Sequence, residues 1–517
     1  MINLSVYNGT TRTVSYTAKR LDGLRYSQMY PGGLYATASF FIPGSVTRYQ
    51  DIQGGYRLVM RDGLAIVWLG EITGMQPTSS MEREGWQIEA TGYWGSYLNK
   101  ALTNKPWCDN RIDNNTWYEH SAAWSSNDKT LLQNMSIDRI NRIRFTPDDV
   151  LWSTNQFHRV RYSAPTGDTV KRVTFEYDLQ ETPQQWSLLL YSETGGGVEW
   201  QGTATGIGTV DQTLGTASQH IFFYMRSDAV QTPASAGTIY AEVSNVKVYT
   251  ETGNINLTEI AKDIRARSTS LDTSENRIGS NTLSLEPFIT NGYETRASIL
   301  TRAASYGDSA GNSWACWLGD SETLAGATFP APILCVEQQP SLTSADYYLS
   351  VDDIPDFVAN IDYDNLYNWI AVSYTDLTGK TIYITPDDDS SLSDSASIAT
   401  HRTRQYPLSI QTESSTSALN YGKRFLAAHK DPKITISSPI NVPFVLGSGG
   451  NRIPAARVRA GKTLKITNYL HDITGAGMTF LITGTEYTGD DDMVSITTGQ
   501  PDPLSVIVAR QAAGMKW

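Results

Sequence analysis

The residue types able to do chemistry are spread thinly along this chain. Two runs of three carboxylates, Asp387-Asp388-Asp389 and Asp490-Asp491-Asp492, carry enough charge to attract a divalent cation. Neither has the spaced ligands of a calcium-binding loop, so both read as solvated acidic turns. The six histidines are dispersed, and no two stand at metal-ligand spacing. The three cysteines, Cys108, Cys316 and Cys335, form neither a zinc motif nor a disulfide framework. Buried free thiols are the favoured reading, with a Cys316–Cys335 pair left open. No GxSxG elbow, phosphate-binding loop or HExxH motif is present. Ser, His and Asp residues scattered over 517 positions define no nucleophile–base set. The sequence therefore reads as non-enzymatic, with no catalytic residue, metal ligand or cofactor.

Aromatic side chains carry the remaining ligand chemistry. A sugar ring packs its apolar face on Trp or Tyr while its hydroxyls bond nearby polar groups. Tyr191 and Trp200 flank the turn Gly195-Gly196-Gly197 and are candidates for such a platform. Alternation that sends Ile221, Phe223 and Met225 to a core sends Phe222 and Tyr224 the other way. Tyr191, Trp200 and Tyr224 are thus the candidate carbohydrate-binding residues, with core packing the competing reading for each. Two basic segments, His401-Arg-Thr-Arg404 and residues 452–459, interrupt a chain of net charge −12. A solvated face, a subunit interface and a lining for passing DNA compete for them. The interface is favoured, because strong phosphate contacts would hold passing DNA back.

These residues must be positioned by an almost wholly β-rich chain. At 517 residues, with 18% charged and 10% aromatic side chains, it reads as roughly three or four folded domains. Its acidity excludes a uniformly polyanion-binding surface. No run of about 18 apolar residues suggests a membrane span, and the first residues lack a secretory signal, so the chain is expected to be made in the cytoplasm. Residues 1–105 alternate in short runs, with Asp62-Gly63 as a hairpin turn. Residues 106–150 read as a polar connector with a helix over 127–143. Residues 151–252 read as a β-sandwich, with strands about Val173–Leu179, Ile221–Met225 and 239–249. Residues 253–435 read as α+β. Asn256 and Glu259 cap a helix carrying Leu257, Ile260, Ala261 and Ile264. A second helix is expected over 295–306 and a third over 414–430. Between them lie strands 314–318 and 333–337 and a hairpin over 369–385, with 390–397 a solvated Ser-rich loop. Residues 436–517 return to strands at 463–468, 478–484, 493–499 and 504–510. The two ends share a faint echo. Residues 67–74 resemble 480–486, and Gln87-Ile-Glu-Ala-Thr-Gly92 resembles Val494-Ser-Ile-Thr-Thr-Gly499.

The order of several motifs resembles one family. These are Arg57-Leu-Val-Met-Arg-Asp, Trp68-Leu-Gly-Glu-Ile-Thr-Gly and Ile88-Glu-Ala-Thr-Gly-Tyr near the start. Further on come the segment 364–379, Ser417-Ala-Leu-Asn-Tyr-Gly-Lys-Arg, Ala460-Gly-Lys-Thr-Leu and Phe480-Leu-Ile-Thr-Gly-Thr-Glu-Tyr. Over about 1–105 and 255–517 the chain resembles the tail-hub (tail-associated or baseplate-hub) proteins of tailed bacteriophages. That resemblance implies a homotrimer with two similar β-barrels per subunit, whose six barrels make a pseudo-sixfold ring at the tail tip of the virion. The implied partners are other tail proteins: the distal tail ring, the tape measure, and tip or fibre proteins. Genomic DNA would pass through the lumen without specific binding. The strand Ala241-Glu-Val-Ser-Asn-Val-Lys-Val-Tyr resembles the closing strand of galactose-binding-like jelly rolls and carbohydrate-binding modules. It implies an inserted, outward module that contacts host-surface glycan. The chain stops at Trp517 with no peptidase or lysozyme domain following, which argues against wall degradation. The fold class expected is mainly β with an α+β portion, comprising hub-type β-barrels and an inserted jelly-roll-like sandwich. The competing functions are a polysaccharide-degrading enzyme and a free carbohydrate-binding adhesin. A β-helix depolymerase would show regular short repeats, which are absent.

Overall fold

The computed structural model describes residues 2–17, 21–44, 51–79, 84–112, 116–119, 135–138, 142–146, 157–180, 186–203, 205–227, 240–290, 292–310, 312–320, 330–355, 357–375, 380–410, 415–468 and 478–499. The chain is mainly β, with 54% strand and 14% helix. It divides into two compact units. One comprises 1–101, 257–283 and 295–517, and the other 102–256 and 284–294.

In the first unit seven antiparallel strands follow from the N-terminal alternation. They are β1 (Ile2–Asn8), β2 (Thr11–Thr17), β3 (Asp22–Met29), β4 (Tyr35–Pro43), β5 (Arg57–Asp62), β6 (Ala65–Ser79) and β7 (Glu84–Gly92). Their order, β2-β1-β5-β6-β7-β4-β3, makes a curled half-barrel. Leu4, Val6, Leu58, Met60, Phe40 and Ile88 are fully buried, so alternate residues of β1, β4, β5 and β7 are withdrawn from water. Gly92 is dictated by close approach: a Cβ there would lie 1.7 Å from the Tyr35 carbonyl oxygen.

Seven C-terminal strands form a second, smaller body in the same unit: β8 (Tyr347–Ser350), β9 (Ile440–Val442), β10 (Phe444–Gly447), β11 (Arg452–Pro454), β12 (Thr463–Thr467), β13 (Met478–Thr488) and β14 (Met493–Gly499). Pairing runs β9-β14-β13-β12-β8-β10, and only Pro443 separates β9 from β10. The ladder therefore closes on itself through the chain, giving a cylinder around Val442, Val445, Leu464, Ile466, Phe480, Val494 and Ile496. The expected strand at 504–510 lies outside the described residues.

The two bodies share one 14-stranded sheet, because β3 pairs antiparallel with β13 from Arg25–Thr488 to Met29–Gly484. Gln28, only 2% exposed, stands in that seam among apolar neighbours. Its Nε2 donates to the Val67 carbonyl at 3.0 Å and its Oε1 accepts from the Ala460 N–H at 3.1 Å.

The middle of the chain forms as its periodicity predicts, with one addition. Helix α1 (Leu257–Ala266) buries Leu257, Ile260, Ala261 and Ile264. Helix α2 (Arg296–Ser305) is capped by Thr295, whose side chain accepts from Ser298 N at 3.1 Å. The Ser-rich loop instead holds a short helix, α3 (Ser395–His401), because Asp394 accepts from Ser397 N and caps it. Helix α4 (Ser415–His429) lies on a three-stranded sheet of Thr381–Ile384, Trp369–Thr375 and Gln405–Ile410. The hairpin turn at 376–379 lies outside the described residues. Gly422 permits that helix docking: a Cβ would meet Leu392 at 2.5 Å and Val372 at 2.6 Å.

The second unit is a β-sandwich. One sheet has the order Trp117–Glu119, Phe157–Ser163, His220–Ser227, Trp186–Ser192 and Gly197–Gly202. The other runs Met135–Asp138, Arg142–Phe145, Tyr240–Tyr249, Val170–Gln180 and Gly206–Ser218, with Pro106–Asp109 pairing onto Tyr240–Tyr249. Val160, Leu188, Leu190, Ile221, Phe223 and Met225 of the first face Val173, Phe175, Leu179, Val243 and Val248 of the second. The helix expected over 127–143 is corrected at its described residues. Met135–Asp138 and Arg142–Phe145 are strands, because Ile143 and Phe145 alternate with Arg142 and Arg144 and pair with Tyr240–Tyr249. The remainder of 127–143 lies outside the described residues. Strands at 106–109, 117–119, 135–138 and 142–145 also place part of the expected connector inside the sandwich.

Replacing Gln28 by Leu keeps the volume but strands the Val67 carbonyl and the Ala460 N–H. The expected cost is about 2–4 kcal/mol, read as a lower denaturation midpoint.

Candidate functional site

Two surfaces hold the residues of interest, one in each unit. In the first unit the seam is reinforced by side chains from the loop before β12. Arg457 Nε bonds Asp62 Oδ2 at 2.7 Å, and its Nη2 donates to the Asp62 carbonyl at 3.1 Å. Arg459 Nη2 donates to the Ile66 carbonyl at 2.7 Å. Tyr26 stacks on Tyr487 at 4.9 Å and donates to the Ala456 carbonyl at 2.6 Å. Arg457 and Arg459, expected at a subunit interface, therefore fasten the two bodies of one chain. In the other basic segment, Arg404 donates to the Tyr363 carbonyl at 2.8 Å.

The faint sequence echo has a structural counterpart. β6 and β7 pair normally up to Ile72–Ala90, then resume at Gly74–Glu89, so Thr73 is extruded as a bulge. β13 and β14 pair up to Ile482–Thr498, then resume at Gly484–Thr497, so Thr483 is extruded. The same Ile-Thr-Gly makes the same irregularity in both hairpins. The neighbours repeat as well: β4-β7-β6-β5 and β9-β14-β13-β12 are the same antiparallel order, met in the same chain order. Bulges re-aim strands and end regular pairing, so a shared bulge in a shared strand order marks two copies of one design. Between the copies, a polar groove of about 420 Å³ crosses the seam, lined by residues including Arg25, Ser27, Thr37, Glu89, Thr91 and Glu486.

In the sandwich the three sequence-predicted residues separate. Tyr191 and Tyr224 meet at 5.5 Å on the outer side of the five-stranded sheet, with Phe222 and Leu189. Arg159 Nη1 donates to the Tyr224 hydroxyl at 3.1 Å, and its guanidinium lies 5.0 Å from the Phe222 ring. Burial pushes the Tyr224 phenol up, against the opposing pull of Arg159. Ile221, Phe223 and Met225 face the core and Phe222 and Tyr224 the other side, as alternation requires. Trp200 points inward instead, meeting Phe175 edge-on at 5.2 Å and Tyr177 at 5.0 Å. The expected platform of Tyr191 with Trp200 is therefore not formed, because Trp200 pairs with Leu190, and the successive residues Leu190 and Tyr191 point to opposite faces.

The acidic runs are occupied locally. Asp388 accepts from Thr385 N and Oγ1, both at 2.9 Å, and Asp389 caps the turn at Ser391. Asp492 accepts from the Tyr487 hydroxyl at 2.9 Å. Among the described residues no group of three His, Cys, Asp or Glu is placed to hold a metal ion, and no helix is long and apolar enough to cross a membrane. All three cysteines are free and buried, and burial pushes the Cys335 thiol up to about 12. Sequence reasoning missed Gln28 and Asp62, whose only signal was a polar residue at an apolar position of the alternation.

No family model matches the sequence, and no curated protein does. Among solved structures, the chain is similar to a tail protein from Neisseria meningitidis MC58, at 10% identity and TM-score 0.44 over 96% of both chains. It is similar to the 43 kDa tail protein of prophage MuSo2 from Shewanella oneidensis, at 10% identity and TM-score 0.40 over 97% of this chain and 99% of that one. A mutant family 29 carbohydrate-binding module, solved with cellulohexaose, matches 28% of this chain and 92% of its own at 9% identity and TM-score 0.19.

Burial pushes the Asp62 carboxyl up, but hydrogen bonds, Arg457's among them, outweigh it and hold the group below the usual carboxylate range. The ionised form is thus favoured in the folded state. Its contribution, about 1 kcal/mol, is complete above pH ~4 and is lost as the pH falls through the lower folded value. Asp62→Asn is expected to melt below wild type at pH 7, with the gap closing in acid. Trp200→Ala is expected to destabilise the sandwich by about 2–3 kcal/mol, and Tyr191→Ala by less than about 1 kcal/mol, both read by thermal melting.

Proposed function

We propose that this chain is a structural hub subunit of a phage-like tail tip, acting as a trimer that adapts the tail tube to the tip. The observation that carries the reading is the repeated hairpin. Two copies of one strand module, each with an Ile-Thr-Gly bulge, are joined where β3 pairs with the part of β13 that runs beyond β12. A subunit that carries one design twice lets three chains present six near-equivalent patches, which is what joining threefold to sixfold symmetry requires. Residues 1–105 and 436–517 then supply the two barrels and 253–435 the α+β region between them. Tail-ring, tape-measure and tip proteins are the partners, and DNA crosses the lumen without specific contacts. The chemistry is assembly, not turnover.

The sandwich serves as a glycan-contact module on this reading. Tyr191 is half-buried on that face and packs against the buried Tyr224, whose hydroxyl accepts from Arg159; an aromatic ring beside polar groups is the pairing that sugar recognition uses. Trp200 supports that function from the inner side of the same sheet, through Phe175 and Tyr177.

Light scattering on the purified chain is expected to give three times 57.1 kDa, about 171 kDa. A monomer at micromolar concentration defeats the hub reading. Tyr191→Ala with Tyr224→Ala is expected to abolish retention on host polysaccharide while leaving the trimer intact. Retention unchanged by that pair removes the glycan role, and sugar release from the polysaccharide by the wild type restores the enzyme alternative.

A further inference from the structure

Lys105 is a buried charge that neither assembly nor glycan contact uses. Its side chain is 1% exposed, within the sandwich unit. Two carboxylates converge on Nζ: Glu251 Oε1 at 2.6 Å and Asp168 Oδ1 at 3.8 Å. The Trp107 ring is centred 5.3 Å from the same nitrogen. The Lys105 backbone is pinned on both sides, its N–H donating to Thr290 Oγ1 at 2.8 Å and its carbonyl accepting from Thr290 N at 3.1 Å. The Asp168 side chain is 7% exposed and rises from a turn closed by its own N–H on the Pro165 carbonyl at 3.0 Å. Glu251 is steadied on its far oxygen by Lys171 Nζ at 2.8 Å.

We propose that Lys105 and Asp168 condense to an intramolecular amide, with Glu251 carrying the proton. Glu251 accepts a proton from the Lys105 ammonium across the 2.6 Å hydrogen bond. The freed amine adds to Cγ of Asp168, and Glu251 returns the proton to the departing oxygen. The Nζ–Cγ bond forms and one Cγ–O bond breaks. Nitrogen loses two protons, which leave with that oxygen as water, and nothing is oxidised or reduced. Fixed, converging groups make such a step effectively unimolecular. Exclusion of bulk water protects the product from hydrolysis. The geometry also gives the bond a use. Thr250, beside Glu251, donates to the carbonyls of Trp107 and Pro106 at 3.1 Å each, so the first and last strands of the sandwich run together at Lys105. A link from there to Asp168 encloses strands of both sheets in one covalent loop.

The mass of the full-length chain, measured after denaturation, tests this directly. The linked chain is lighter than its sequence by one water, and proteolysis yields a branched peptide joining Lys105 to Asp168. Lys105→Arg, Asp168→Ala and Glu251→Gln are each expected to restore the full sequence mass. Glu251→Gln should do so with wild-type circular dichroism, since it removes the proton carrier and keeps the side-chain size. A wild-type chain at full sequence mass after prolonged incubation overturns the proposal, and so does a water loss that maps to any other pair. The wild-type measurement stands whether or not a variant folds.

Discussion

The pairing of β3 with β13 is the constraint on which the larger unit rests. A sheet edge left open beside a second body would expose unpaired amides and carbonyls. Joining them converts two modules, from opposite ends of the chain, into one continuous ladder. The seam is held by a few buried polar groups, and their stakes are high because each would be costly without its partner. Gln28 satisfies a carbonyl of one body and an amide of the other at once. Around it, Tyr26 and Arg457 repeat the principle, each spanning from one body to the backbone of the other.

The bulges at Thr73 and Thr483 act at a different level. An extra residue shifts which side chains face the interior, so it must fall at equivalent places if two hairpins are to curl alike. The half-barrel and the cylinder thus each carry the same three-residue irregularity. The sandwich follows a separate logic, with two apolar inner faces and one outer face that gathers aromatic rings beside arginine.

Much of this was legible in the residues. Alternation fixed the strands of both bodies, and the 3.6-residue spacing of Leu257, Ile260, Ala261 and Ile264 fixed α1. The echo between 67–74 and 480–486 was visible, but its meaning lay in a bulge, which depends on what pairs across the sheet and not on one strand alone. At the described residues of 127–143 strands replace the expected helix, because Arg142–Phe145 pairs with Tyr240–Tyr249 and so short a run fits either period. Trp200 is decided by register: it pairs with Leu190, so its ring takes the core side while Tyr191, the next residue, takes the other. Gln28 and Asp62 showed only as polar residues at apolar positions of the alternation, and Lys105, outside any strand, gave no signal; each becomes informative only once its distant partners are known.

The corner at Pro443 carries a consequence for crowding. Because the smaller cylinder is completed by a covalent bend, the described residues of its flank present no long row of vacant amides to a passing neighbour. Neighbouring copies find little template there for strand exchange. The half-barrel is less guarded. It ends in β2, whose Thr11, Arg12 and Thr13 lie open to water, and a charged guanidinium is the barrier that stands between that border and unwanted polymerisation.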